Sequence, residues 1–131
     1  MKTLIVEDDF TSSLLLQGIL KPYGTSHTAL NGNQAVEAVR AALEAGEPYN
    51  LICLDIMMPE MDGQEALRQI RALEEAKEIS PVKGARIVMT TALEDSKNIL
   101  ASFKGLCDVY LTKPVDKAKL LGELRKLRLI E

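Results

Sequence analysis

The chain has little of what would mark it as a zinc, disulfide, membrane or nucleic-acid protein. It carries two cysteines and one histidine in 131 residues. Cys53 and Cys107 lie in separate apolar runs with no CxxC spacing, and with His27 alone they make no zinc set. Both read as buried small hydrophobes of a reducing cytosol, not as a disulfide pair. No apolar stretch approaches the ~18–20 residues of a membrane span. The opening "MKTLIVEDD" turns acidic too early for a signal peptide. Sixteen Lys and Arg stand against 19 Asp and Glu, a net charge of −3 with both signs spread along the chain. That excludes the basic footprint of a nucleic-acid binder. There is no repeat, no low-complexity tract and no linker. The expectation is one cytoplasmic domain spanning 1–131, without membrane insertion, large enough to bury roughly 65–70% of its unfolded surface.

Short apolar runs are what the chain does have: "TLIV" (3–6), "NLICL" (50–54), "ARIVM" (85–89) and "CDVYL" (107–111), with a weaker "TSHTAL" (25–30). Unbroken runs of this length suit strands covered on both faces, as in parallel sheets. Between them lie segments of helical periodicity at 10–24, 32–46, 62–78, 93–105 and 115–127. The polar stretch 74–86, with Pro81 and Gly84, reads as a long surface link. Strand then helix, five times, predicts a doubly wound α/β fold: a five-stranded parallel sheet with five helices on its two faces.

In such a sheet the carboxyl ends of all strands emerge on one edge, where ligands bind. The residues that follow the strong runs are Glu7–Asp8–Asp9, Asp55, Thr90–Thr91 and Thr112–Lys113–Pro114. An acidic run is commonly a solvated loop or helix cap, and an aspartate before a turn is commonly a cap. Together, however, these residues place carboxylates, a hydroxyl and an ammonium on one rim. Clustered carboxylates repel unless a cation is present, and Mg²⁺ takes one or two carboxylates while leaving room for phosphate oxygens. Lys113 suits a phosphate oxygen, and Thr91 can donate to another. An aspartate in this setting can accept a phosphoryl group, a transfer that needs mainly positioning and charge neutralisation. Asp55, directly after the buried run "LICL" and before "IMMPEMDG", is the candidate nucleophile. His27 reads as a half-buried residue without a catalytic part.

The motifs "LIVEDD", "LDIMMPEMDG", Thr91–Ala92 and "YLTKP" resemble those of the receiver domain of bacterial two-component response regulators in its free-standing, CheY-like form. The resemblance covers essentially the whole chain and implies a flavodoxin-like strand order 2-1-3-4-5. By it, Asp55 is the phosphorylated aspartate. Asp9 and Asp55 would bind Mg²⁺ (or Mn²⁺) directly, with the backbone carbonyl of Met57, and Asp8 through water. It makes Thr91 the switch hydroxyl, since it precedes Ala92. Tyr110 becomes the aromatic switch, Lys113 the phosphate-pairing lysine, and Lys113–Pro114 a cis bond. The implied partners are a histidine kinase or histidine phosphotransfer protein as donor, and a downstream target protein. That target would meet the face built from the fourth helix, fifth strand and fifth helix of a monomer or phosphorylation-dependent dimer.

Three departures from the family pattern stand out. Leu106–Cys107 replace the Gly–Ala often found before the fifth strand. The 74–86 link is long. Met57 and Leu93, flanking the acceptor, are both apolar, which implies a slowly hydrolysed acyl phosphate. Three other readings compare with this one: a receiver excised from a larger regulator or hybrid kinase, which nothing in the sequence excludes; a non-phosphorylated pseudo-receiver, which would lack Asp55, Lys113 or the acidic pair, all present here; and a phosphatase of the haloacid dehalogenase type. The last needs a second carboxylate two residues after the nucleophile, where this chain has Met57. The C-terminal Leu129 and Ile130 either cap the core or meet a partner.

Overall fold

The computed structural model of the protein describes residues 1–56, 63–80, 83–91 and 107–131. The apolar runs become five strands: β1 (Lys2–Val6), β2 (Thr25–Ala29), β3 (Leu51–Asp55), β4 (Arg86–Thr91) and β5 (Val109–Thr112). All neighbours are parallel, in the order β2-β1-β3-β4-β5. The doubly wound, flavodoxin-like order is therefore as expected. Among the described residues the helices are α1 (Phe10–Leu20), α2 (Gly32–Glu44), α3 (Gly63–Ala76) and α4 (Lys117–Lys126). The segment 93–105, expected to be helical, lies outside the described residues, so of the face it was to build β5 and α4 are described.

Strand side chains alternate between faces, which explains why the runs are unbroken. Leu4, Val6, Ile52, Leu54, Ile87 and Met89 face α2 and α3, packing with Val36, Val39, Leu67 and Ile70. Ile5, Leu51, Cys53 and Val88 face α1 and α4, packing with Leu16, Leu20, Leu120 and Leu124. Each fully buried aliphatic side chain contributes roughly 1.5–3 kcal/mol. β2 reads weakly because it is an edge strand, with only Ala29 of its five residues buried. His27 is exposed on it, with Nδ1 2.8 Å from the Tyr49 hydroxyl. Leu129 and Ile130 pack against the α1/α4 core, which answers the question of the C-terminus in favour of the core.

Both cysteines are free. Burial pushes the Cys53 thiol up to about 12, in keeping with a small core hydrophobe, whereas Cys107 is only half-buried. No helix among the described residues is long and apolar enough to cross a membrane. The segment read as a link is shorter than expected, because α3 runs on to Ala76. There Glu74, 5% exposed, accepts the Ala85 N–H at 2.7 Å and pairs with Arg71 at 2.7 Å. Arg71 in turn reaches Asp108 at 3.4 Å, tying the end of α3 to the starts of β4 and β5.

Candidate functional site

The carboxyl ends of β1, β3, β4 and β5 form the rim of the candidate site. Glu7 leaves β1 with its backbone N–H still bound to the Ala29 carbonyl at 3.0 Å. Its side chain is therefore turned inward and is 1% exposed. Oε2 accepts the Asp9 N–H at 3.2 Å. Oε1 is buried and receives no hydrogen bond, its close neighbour being the Lys113 ammonium at 2.6 Å. Asp55 is the last residue of β3, in register with Thr90. Its carboxylate is 4% exposed, with Oδ2 3.3 Å from Lys113 Nζ.

Lys113 follows β5, anchored by its N–H on the Thr91 carbonyl at 2.7 Å, and its bond to Pro114 is cis as expected. Burial pulls its pKa down, but the contact with Glu7 and the charges of Asp55 and Glu7 outweigh this. The ammonium therefore titrates above the usual lysine range.

Carboxylate oxygens of Glu7, Asp8 and Asp55 lie within 4.8 Å of one another. Asp9 has a different role from the one expected. It is the N-cap of α1, its Oδ2 accepting the Ser12 N–H at 2.8 Å and the Ser12 hydroxyl at 2.7 Å. Those two bonds, side chain first, hold its carboxyl below the usual carboxylate range. A cap residue must directly precede its helix, and α1 begins at Phe10. Asp9 is thereby turned to the helix end, and Glu7, which sequence reasoning left out of the metal set, takes its place beside Asp8 and Asp55. The signal was present: an aspartate immediately before a periodic apolar segment is a helix-start mark.

Thr91 closes β4 with its side chain buried, opposite Thr112 in register. Tyr110 in β5 pairs with Met89 and packs partly buried against the α2/α3 core. Met57 and Leu93 lie outside the described residues. A further residue missed in the sequence is Gly63, which opens α3. A Cβ there would stand 2.4 Å from the Asp55 carbonyl oxygen and 2.7 Å from Ile56 Cα, so helix backbone meets strand backbone directly behind the acceptor.

Next to the pocket, α1 carries no charged residue, and Phe10 and Leu14 are 75% and 49% exposed on it. Leu30, just past β2 on the same edge of the sheet, is exposed as well.

The site's chemistry suits a hard divalent cation. Three carboxylates and one ammonium sum to −3 + 1 = −2. The buried Glu7 Oε1 has the Lys113 ammonium, at 2.6 Å, as its close polar neighbour, and all donors are oxygens, as Mg²⁺ requires.

Residues 3–125 match the response regulator receiver domain family. The two-component response regulator ORR41 of Oryza sativa is 32% identical over 132 residues, covering 98% of this chain and 95% of that protein. The sensor histidine kinase GacS of Pseudomonas protegens is 32% identical over 120 residues; these are 91% of this chain but only 12% of the kinase. Among solved structures, the receiver domain of the sensor histidine kinase PA1611 of Pseudomonas aeruginosa has a magnesium ion coordinated in its active-site cleft. It matches with a TM-score of 0.76 at 25% identity, covering 96% of this chain and 95% of that one.

Proposed function

The chain belongs to the response regulator receiver domain family, and from that premise we propose that Asp55 accepts a phosphoryl group from a phosphohistidine and that the protein signals by the change this causes. The observation that carries the reading is the setting of Asp55: a carboxylate 4% exposed at a strand end, 3.3 Å from an ammonium and clustered with two further carboxylates.

Members of this family are signalling phosphoacceptors. Here the P–N bond of a phosphohistidine breaks as an Asp55 oxygen forms an O–P bond, and the leaving imidazole takes up a proton. Lys113 stabilises negative charge on the phosphoryl oxygens; the Thr91 hydroxyl, buried at the end of β4, would turn toward them, and the partly buried Tyr110 would follow. Glu7, Asp8 and Asp55 would hold Mg²⁺ (or Mn²⁺), which when bound supplies charge neutralisation for both acceptor and phosphoryl group.

The donor is a histidine kinase or a histidine phosphotransfer protein, and the output goes to a downstream protein, not to nucleic acid. The charge-free α1 face with Phe10 and Leu14 borders the pocket, which supports donor docking by apolar contact. Residues 1–131 act on this reading as one receiver unit, as a monomer or a phosphorylation-dependent dimer. The same chemistry serves whether the unit stands alone, as its match to nearly all of ORR41 supports, or is part of a longer kinase, as its match to a tenth of GacS supports.

The test is incubation with Mg²⁺ and acetyl phosphate, followed by intact mass measurement. One added phosphoryl group is expected on the wild type and none on Asp55→Asn. An unlabelled wild type, with acetyl phosphate and with a phosphorylated histidine phosphotransfer protein alike, would overturn the assignment.

A further inference from the structure

Helix α1 carries an apolar ridge on its outer side. Phe10, Leu14 and Gly18 stand four residues apart, so they line up along one ridge of the helix surface. Phe10 is 75% and Leu14 49% exposed, and Leu15 beside them is 44% exposed. Gly18 is exposed too, and a Cβ built on it would meet nothing within 4 Å. The ridge thus runs from a large ring through a leucine to a gap. No residue of the helix itself, FTSSLLLQGIL, is charged. Charges flank it instead: the exposed Asp8 and Asp9 lie before its first turn, and the exposed Lys21 follows its last.

This pattern is complementary to itself. A two-fold axis through Leu14 lays two α1 helices antiparallel, with Leu14 against Leu14. Each Phe10 ring then falls over the gap at Gly18 of the second copy, the reciprocal contact that an isologous interface requires. At both ends the acidic pair Asp8 and Asp9 of one copy approaches Lys21 of the other. A parallel pairing would instead set like charges together, so charge fixes the orientation. From this geometry we infer that α1 is a self-association surface whose occupant is a second copy of this chain, bound antiparallel across Leu14. The contact needs no phosphorylation. The two ridges together bury roughly 600 Å², given the ~150–250 Å² an aromatic side chain offers, which is below the ~1,200 Å² of stable complexes. The pair is therefore weak, with a dissociation constant on the order of 100 µM. Because donor docking is proposed on the same face, a paired copy is closed to its donor. Only that consequence rests on the docking reading; the self-association involves no donor and stands or falls separately.

The test is sedimentation equilibrium of the unphosphorylated chain in chelator at low salt, from about 10 µM to about 1 mM, a range that brackets the expected constant. The wild type should pass from monomer to dimer across this range. Gly18→Gln fills the gap that the Phe10 ring needs, and should raise the dissociation constant at least about tenfold. The same substitution favours the helix, so its urea midpoint should equal or exceed that of the wild type, which separates lost pairing from lost folding. Lys21→Glu sets acid against acid at both ends and should weaken the pair several-fold. A wild type that stays monomeric throughout overturns the inference. So does a dimer undiminished by Gly18→Gln, since its contact would lie on another face. Should Gly18→Gln lower the urea midpoint, Lys21→Glu decides alone, and an unchanged dissociation constant there overturns the antiparallel pair.

Discussion

Gly63→Ala isolates how tightly the acceptor strand and the following helix are joined. The added Cβ would fall 2.4 Å from the Asp55 carbonyl oxygen and 2.7 Å from Ile56 Cα. Ordinary contacts of this kind lie near 3.5–4.0 Å, so the two backbones must separate by about 1 Å. Neither has a rotamer to give, since both obstacles are main chain. α3 is held from the other side by Ala66, Leu67 and Ile70, all fully buried, and part of the displacement therefore falls on Asp55. Overpacking of this kind costs roughly 1–3 kcal/mol, against a helix-propensity gain for alanine of at most about 1 kcal/mol. A net loss of about 1–2 kcal/mol in urea unfolding is expected. A displacement of ~1 Å at reacting groups can slow a reaction ~100-fold, so initial labelling by acetyl phosphate should fall by at least about tenfold under conditions where the variant remains folded. Wild-type stability together with a wild-type labelling rate would refute the close approach. Lost stability with unchanged labelling would show that the glycine serves packing alone.

Three further outcomes follow from named contacts. Glu78 and Arg128 are exposed and hold φ of 61° just past α3 and α4, where the next N–H returns to Glu74 and Leu124. Left-handed geometry disfavours residues with a Cβ, so Glu78→Gly and Arg128→Gly should each raise stability by about 1 kcal/mol, read as a higher urea midpoint at unchanged slope. The Asp9 carboxyl titrates below its usual value because of its bonds to Ser12. Its contribution to stability is present above the unfolded pKa of about 3.9 and is lost as pH falls through the lower folded value. Asp9→Ala should therefore flatten the acid limb of the stability–pH curve, whereas Asp9→Asn should retain the cap and lose the pH dependence. Finally, Phe10→Ser with Leu14→Ser removes exposed apolar surface only, so stability should stay within about 0.5 kcal/mol per site. Transfer from a phosphorylated histidine phosphotransfer protein should slow while acetyl phosphate labelling is unchanged; equal loss in both assays would argue against docking there.

The fold was legible because its rules are local and periodic. A two-sided sheet needs apolar residues at both strand parities, and Leu4 against Ile5 or Ile87 against Val88 supply them. The weakness of 25–30 had the same cause, since an edge strand with one buried residue leaves little apolar pattern. Features that depend on distant partners were not legible. Glu74, in a stretch that read as polar link, is buried by Arg71 and the Ala85 N–H. Asp108, inside a run that read as strand, instead caps the Ile87 N–H at 2.8 Å and pairs with Arg71 and Arg86, so β5 starts only at Val109. Gly63 could be seen as a turn residue, but not as a point of backbone contact with Asp55.

The acidic run shows where the two kinds of knowledge meet. "EDD" offers three carboxylates, and charge alone cannot rank them. What ranks them is how much of each one's acceptor capacity is already used. Asp9 is committed to Ser12 by two bonds at a solvated helix end, whereas Glu7 is buried with Oε1 facing only an ammonium. A cation gains most where carboxylate oxygens are dehydrated and clustered, since there the repulsion it relieves is least screened. The order of strand end and helix start therefore decides the chemistry: the strand turns Glu7 inward, the helix takes Asp9 as its cap, and Asp8 between them is left to face Asp55.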